Sequence, residues 1–152
     1  MTTVPTYIDD GWGALNGAII FCPSQVPLPI TPEVLISACE NRWPSRTVAL
    51  TPTDVDSCAS VDIRPENEYS FVISLYEQNM LIGLDGLPQQ NVVVAAWLRS
   101  LMPEDAPRMV VGDKGFSVHA ELPYGVTAEQ IASSMISHAV EGWNAADPDL
   151  QW

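Results

Sequence analysis

The chain has 152 residues, with 19 acidic against 6 basic side chains, a formal charge of −13 and 47% hydrophobic residues. That length suits one packed domain. With a single lysine, Lys114, and five scattered arginines no phosphate-binding stripe can be assembled, so direct nucleic-acid binding is excluded as a function class. The longest apolar run, 92–98, falls far short of the roughly 20 residues a membrane-spanning helix needs, so no membrane partner is expected.

In chain order, residues 1–10 carry no lysine or arginine and the apolar run 18–22 stops at Pro23, so neither a signal nor a transit peptide is expected. Cys22, Cys39 and Cys58 contain no CxxC pair, and they read as free, mostly buried thiols of a cytoplasmic protein. Residues 1–29 form an N-terminal arm and Pro-rich connector with a short strand at 17–22, of which 1–16 is expected to be loosely held. Thr31 as N-cap, Pro32 at the first helical position and Glu33 in the first turn open a helix that closes before Pro44. Leu35, Ala38, Cys39 and Arg42 share one of its faces.

Strands are expected at 47–51, 61–64, 69–76 and 80–84, an antiparallel meander in which Phe71, Ile73 and Leu75 alternate inward. A second helix runs from about Pro88 to Met102 and is apolar on nearly every side. Strands at 108–112 and 115–122 flank a Gly-Asp-Lys-Gly turn, leaving Ser117, His119 and Glu121 on an exposed face. Thr127 and Gln130 form a capping box for a last helix, whose apolar spacing continues through Met135, Ile136 and Ala139 to Trp143. The domain so defined is 30–143, of α+β class, with three helices packed on an antiparallel sheet in the order helix, strand meander, helix, hairpin, helix; 144–152 is a frayed tail.

Chemistry is hard to find in this pattern. Asp54, Asp56 and Asp62 do not make an EF-hand, because Ala59 and Pro65 stand where glycine and the bidentate glutamate belong. Two histidines, His119 and His138, are too few for a zinc site, and no HExxH occurs. Gly115-Phe116-Ser117-Val118-His119 lacks the second glycine of a serine elbow, and Ser117, His119 and Glu121 along one strand stand parallel rather than in relay. Gly11-Trp12-Gly13 precedes its strand and has Asn16 where a dinucleotide fingerprint needs a third glycine. Glu66, Glu68, Glu104 and Asp105 fall in loops where solvated acids are ordinary. No catalytic residue, cofactor or metal is therefore expected. Trp97 and Trp143 fall on helix core stripes, while Trp12 and Trp152 are free to serve a partner.

The segment Leu122-Pro123-Tyr124-Gly125-Val126-Thr127-Ala128-Glu129-Gln130-Ile131, with the strand before it, resembles the closing strand and helix of YbjN-type sensory transduction regulator domains. Ile30-Thr31-Pro32-Glu33-Val34-Leu35 is similar to that family's first helix. The chain departs from the family where Trp97-Leu98-Arg99 replaces an asparagine-rich signature, and the Pro-rich N-terminal segment has no counterpart. The resemblance implies a type III secretion chaperone-like fold that dimerises and holds a partner chain, without catalytic residues.

An over-apolar second helix agrees with a homodimer through Val93, Trp97 and Leu101; alternatively the helix is sandwiched between the sheet and another helix of its own chain. Three functions stay open. The first is an acidic, non-catalytic protein-binding module, chaperone-like or regulatory, steered to a basic protein partner. The second is an inhibitor or immunity-type protein occluding a basic toxin or nuclease. The third is a small-ligand sensor or hydrolase with a pocket around His119 and Glu121.

Overall fold

The computed structural model describes residues 7, 8, 10–50, 57–76, 78–139, 143 and 150. Eight strands form one sheet in the spatial order β2-β3-β4-β5-β1-β6-β7-β8, and every neighbouring pair is antiparallel. In chain order these are β1 (Ala18–Phe21), α1 (Pro32–Arg42), β2 (Thr47–Leu50), β3 (Ser57–Ile63), β4 (Phe71–Tyr76), β5 (Leu81–Leu84), α2 (Pro88–Ser100), β6 (Val110–Asp113), β7 (Val118–Glu121), α3 (Ala128–Ser133) and β8 (Ile136–Ser137). The α+β class, the large antiparallel sheet and the three helices are as expected. The short strand expected at 17–22 is present as β1 but lies at the sheet centre, and the element order differs by a closing strand, β8, at the sheet edge.

Period-two alternation assigns the two faces. Ala59, Leu75, Ile82, Ile20, Val111 and Ala120 are cross-strand partners in one row, and all are buried in a core that also takes in Leu35, Cys39, Val92, Ala95, Leu98, Ile131 and Met135 from the helices. The neighbouring row of Ser60, Ser74, Gly83, Ile19, Gly112 and His119 points the other way. Local chemistry starts the helices as expected: Thr31 Oγ1 accepts from Val34 N at 3.2 Å, and Thr127 Oγ1 accepts from Gln130 N at 3.1 Å while Gln130 Oε1 accepts from Thr127 N at 3.0 Å.

Two expectations need correction. The segment 10–16 is held rather than loose: Gly11–Gly13 form a 3-10 turn against α2 and α3, Leu15 is wholly buried, and the Asn91 amide of α2 donates to Leu15 O at 2.8 Å. The last helix stops at Ser133 instead of running to Trp143. Ser133 and Ser134 turn their hydroxyls back onto Gln130 O at 3.2 and 2.7 Å, which competes with further helical bonds, and the chain then pairs with β7. Trp143 consequently sits on no helix core stripe; it stacks on His138. Cys22 and Cys39 are free and buried as expected, whereas the Cys58 side chain, Asp54, Asp56, Trp152 and most of the tail lie outside the described residues. Among the described residues no helix is long and apolar enough to cross a membrane.

Candidate functional site

The most developed surface feature is an aromatic corner where the end of α1 meets α2. Trp43 is placed by the close of α1, its N–H donating to Cys39 O at 2.9 Å, and Thr47 Oγ1 ties the same turn down by donating to Trp43 O and Cys39 O at 3.1 Å each. Its indole meets Phe71 of β4 edge-on at 5.6 Å between centroids and Trp97 of α2 at 5.1 Å, with interplanar angles of 80° and 73°. Perpendicular rings bring the positive edge of one to the negative face of the next, so the corner is rigid. The Arg42 guanidinium lies over both indoles, 5.2 Å from the Trp43 centroid and 5.5 Å from that of Trp97.

Beside this corner opens a cavity of about 290 Å³ lined by Trp12, Trp43, Phe71, Val93, Glu68 and Gln90 among others. Gln90 is fixed there by two bonds, its Oε1 accepting from Leu87 N at 2.9 Å and its Nε2 donating to Tyr69 O at 2.7 Å. Val93 is 41% exposed on the outer face of α2, and Val92, Val94, Ala95 and Leu98 are buried. The helix is therefore sandwiched within its own chain, against β1, the 3-10 turn and α3. Of the residues expected at a dimer interface, Val93 is open, while Trp97 and Leu101 are half-buried against the core. Trp12, reserved for a partner, lines the same cavity.

The trio Ser117, His119 and Glu121 is split up. Ser117 is exposed in the turn before β7, where Asp113 Oδ2 accepts from its hydroxyl at 2.6 Å. His119, expected on an exposed face, is 2% exposed, because Phe116 stacks on it and the tilted rings of His138 and Trp143 pack against it. Glu121 is half-buried and grips Arg108 with both oxygens at 2.7 Å. No relay from serine to histidine to carboxylate results. Among the described residues no group of three His, Cys, Asp or Glu side chains is placed to hold a metal ion. Burial pushes the Cys39 thiol up to about 12 and raises that of Cys22, which lowers the thiolate fraction of both at neutral pH.

A larger concavity of about 630 Å³ lies on the opposite sheet face, floored by Ile19, Ser74 and Gly83 and flanked by Tyr76, Asp85 and Lys114. Its central polar groups are already engaged: Asp85 Oδ1 accepts from Val72 N at 2.6 Å, and the Ser74 hydroxyl bonds Ser60 Oγ at 3.0 Å. The aromatic corner is thus the better-preorganised surface for a partner. Sequence reasoning found Val93 and Trp97 but missed Trp43 and Arg42; the one local signal was a tryptophan directly after a helix end. Comparison with protein-family models, curated proteins and solved structures finds no match for this chain.

Proposed function

We propose that this chain is a non-catalytic, acidic protein-binding module that engages a basic polypeptide segment, one large apolar side chain of which enters the cavity beside Trp43 and Val93. The observation that carries the reading is the open corner of Trp43, Trp97 and Arg42 with Val93 at its lip. Trp and Arg dominate binding hot spots, because a rigid aromatic surface is desolvated at small entropic cost. The −13 charge adds attraction for a basic partner, and Glu68 at the rim supplies a local carboxylate for it. The resemblance of 122–131 to YbjN-type domains points the same way, toward a chaperone-like or regulatory role.

Random-peptide display on the immobilised chain tests this, with enriched peptides remeasured by fluorescence anisotropy. The expected peptides combine Lys or Arg with a leucine or aromatic anchor, and they bind Val93→Glu about tenfold or more weakly, since that change puts a charge at the lip of the cavity. Acidic or uncharged peptides, or equal binding to Val93→Glu, would overturn the reading. Light scattering tests the competing occupant: a dimer that Val93→Glu dissociates would mean that a second copy fills the corner.

A further inference from the structure

Toward the other end of the sheet, His119 and His138 meet at the last strand pair, β7 with β8. Their imidazoles are joined directly, Nδ1 of His119 standing 2.6 Å from Nε2 of His138, and Nδ1 of His138 stands 2.5 Å from Phe116 O. A carbonyl oxygen only accepts, so His138 carries its proton on Nδ1. In neutral His138 the Nε2 is then a bare lone pair, and His119 must donate from its own Nδ1. Within the neutral pair these two contacts set which ring nitrogens donate.

We propose that His119 and His138 form a one-proton latch, which fastens residues 136–139 and Trp143 to the edge of β7 and releases them when both rings become charged. One added proton fits the chain of bonds: His138 becomes imidazolium, donates through Nε2 to His119 Nδ1, and His119 moves its own hydrogen to Nε2. A second proton does not fit. It would put N–H against N–H across the 2.6 Å contact and set two cations 4.9 Å apart, centroid to centroid.

The pairing of the segment among the described residues is short. β8 is two residues long, Ile136–Ser137, and pairs only with His119 and Val118 on the β7 side. Beyond it His138 N donates to Ser117 O at 2.9 Å, and Trp143 lies flat on the His138 ring, 3.6 Å between centroids and 8° from parallel. On its outer side, among the described residues, Tyr7 bridges to Ile136 and Ile8 N donates to Met135 O at 3.0 Å just ahead of β8. Among these contacts the latch bond is the one that double protonation breaks.

Among the described residues, the charged and titratable groups of the elements packed round the pair are Asp113 of β6, Lys114 in the following turn, Glu121 of β7 with Arg108 across from it, and Tyr7 at the bridge. Burial holds the His138 imidazole below its ordinary range, and the Phe116 carbonyl and the Asp113 carboxylate oppose this in part. The sign follows by linkage. The unfolded chain takes up this proton near the ordinary imidazole value of about 6.5, more readily than the folded chain does. The stabilisation is thus complete above that pH and is lost as pH falls through the lowered folded value.

Long-range proton–nitrogen spectra of the full chain test the latch from mildly alkaline conditions down to about pH 5. Expected are Nδ1–H tautomers on both rings above neutrality and two coupled titration steps below. The exchange rate of the His138 amide, corrected for its chemical pH dependence, should rise about tenfold across the second step. Independent titration of the two rings near the ordinary value, Nε2–H tautomers, or unchanged His138 amide protection would each overturn the proposal. His138→Phe keeps a flat ring against Trp143 and removes the second, coupled titration step along with the His119–His138 bond. Its edge amides should lose their acid sensitivity, and acid sensitivity that persists would also refute the latch.

Discussion

Gly11 has no room for a methyl group. An added Cβ would lie 1.8 Å from Ala132 O, and that oxygen belongs to α3 backbone, which cannot swing aside as a side chain can. Gly13, two residues on, meets nothing nearer than a carboxylate oxygen of Asp10 at 3.3 Å. Gly11→Ala should therefore destabilise by about 3 kcal/mol or more through overpacking, while Gly13→Ala stays within roughly 0.5 kcal/mol; urea denaturation of both variants checks the contrast. Arg99 makes the same point for a charged residue. It is 3% exposed and has no carboxylate partner among the described residues; its Nε donates to Leu122 O at 2.9 Å and its Nη1 to Met102 O and Pro103 O at 3.3 and 3.0 Å. Those bonds clamp the end of α2 to the strand exit after β7, with the guanidinium 5.4 Å from the Tyr124 ring centroid. Lysine offers one compact head instead of a planar fork. Arg99→Lys should cost about 2 kcal/mol in urea denaturation, and a loss below about a quarter of that would show the fork to be dispensable.

At the level of elements, α3 is short enough for its cap to decide whether it forms. It spans only Ala128–Ser133, and the Thr127 hydroxyl satisfies the Gln130 N–H at 3.1 Å. Thr127→Ala should cost about 1 kcal/mol, with faster amide exchange at Gln130 and Ile131 before any global change; unchanged exchange there would contradict the role of the cap. That cap was legible in the sequence because its chemistry is confined to four neighbouring residues. The end of the helix was not. Met135, Ile136, Ala139 and Trp143 keep helical spacing, but His138 is drawn to Phe116 O and His119, groups that only the folded chain brings near. The neighbour-to-neighbour pairing of the meander was legible for a related reason, since each strand pairs with the next in the chain, although β3 begins at Ser57 rather than at 61. The corner of Trp43 and Trp97 and the pairing of the two histidines depend on contacts between distant segments. Each residue was visible in the sequence, and its partner was not.

The whole molecule is organised by a strand whose presence was legible in the local pattern and whose place in the sheet was not. With four residues and a proline soon after, β1 looks like part of a connector. In the sheet it lies between β5 and β6, pairing Ile20 with both Ile82 and Val111. The strands β2 to β5 form one antiparallel run and β6 to β8 another, and within the sheet the two runs are joined only through β1. Ala18 and Ile20 are buried beneath the helices, and Leu15 ahead of them anchors α2 through Asn91. A chain trimmed to 30–143 would open two strand edges in the middle of the core and lose the wholly buried Leu15, Ile20 and Leu28. It should fail to show a cooperative urea transition or dispersed amide resonances. A synthetic peptide covering 8–29, added in trans, should restore both, since strand pairing to β5 and β6 and the 3-10 turn are properties of that segment. If the trimmed chain instead unfolds cooperatively with near-native stability, β5 and β6 must be able to close on each other, and the central role assigned to β1 would be wrong.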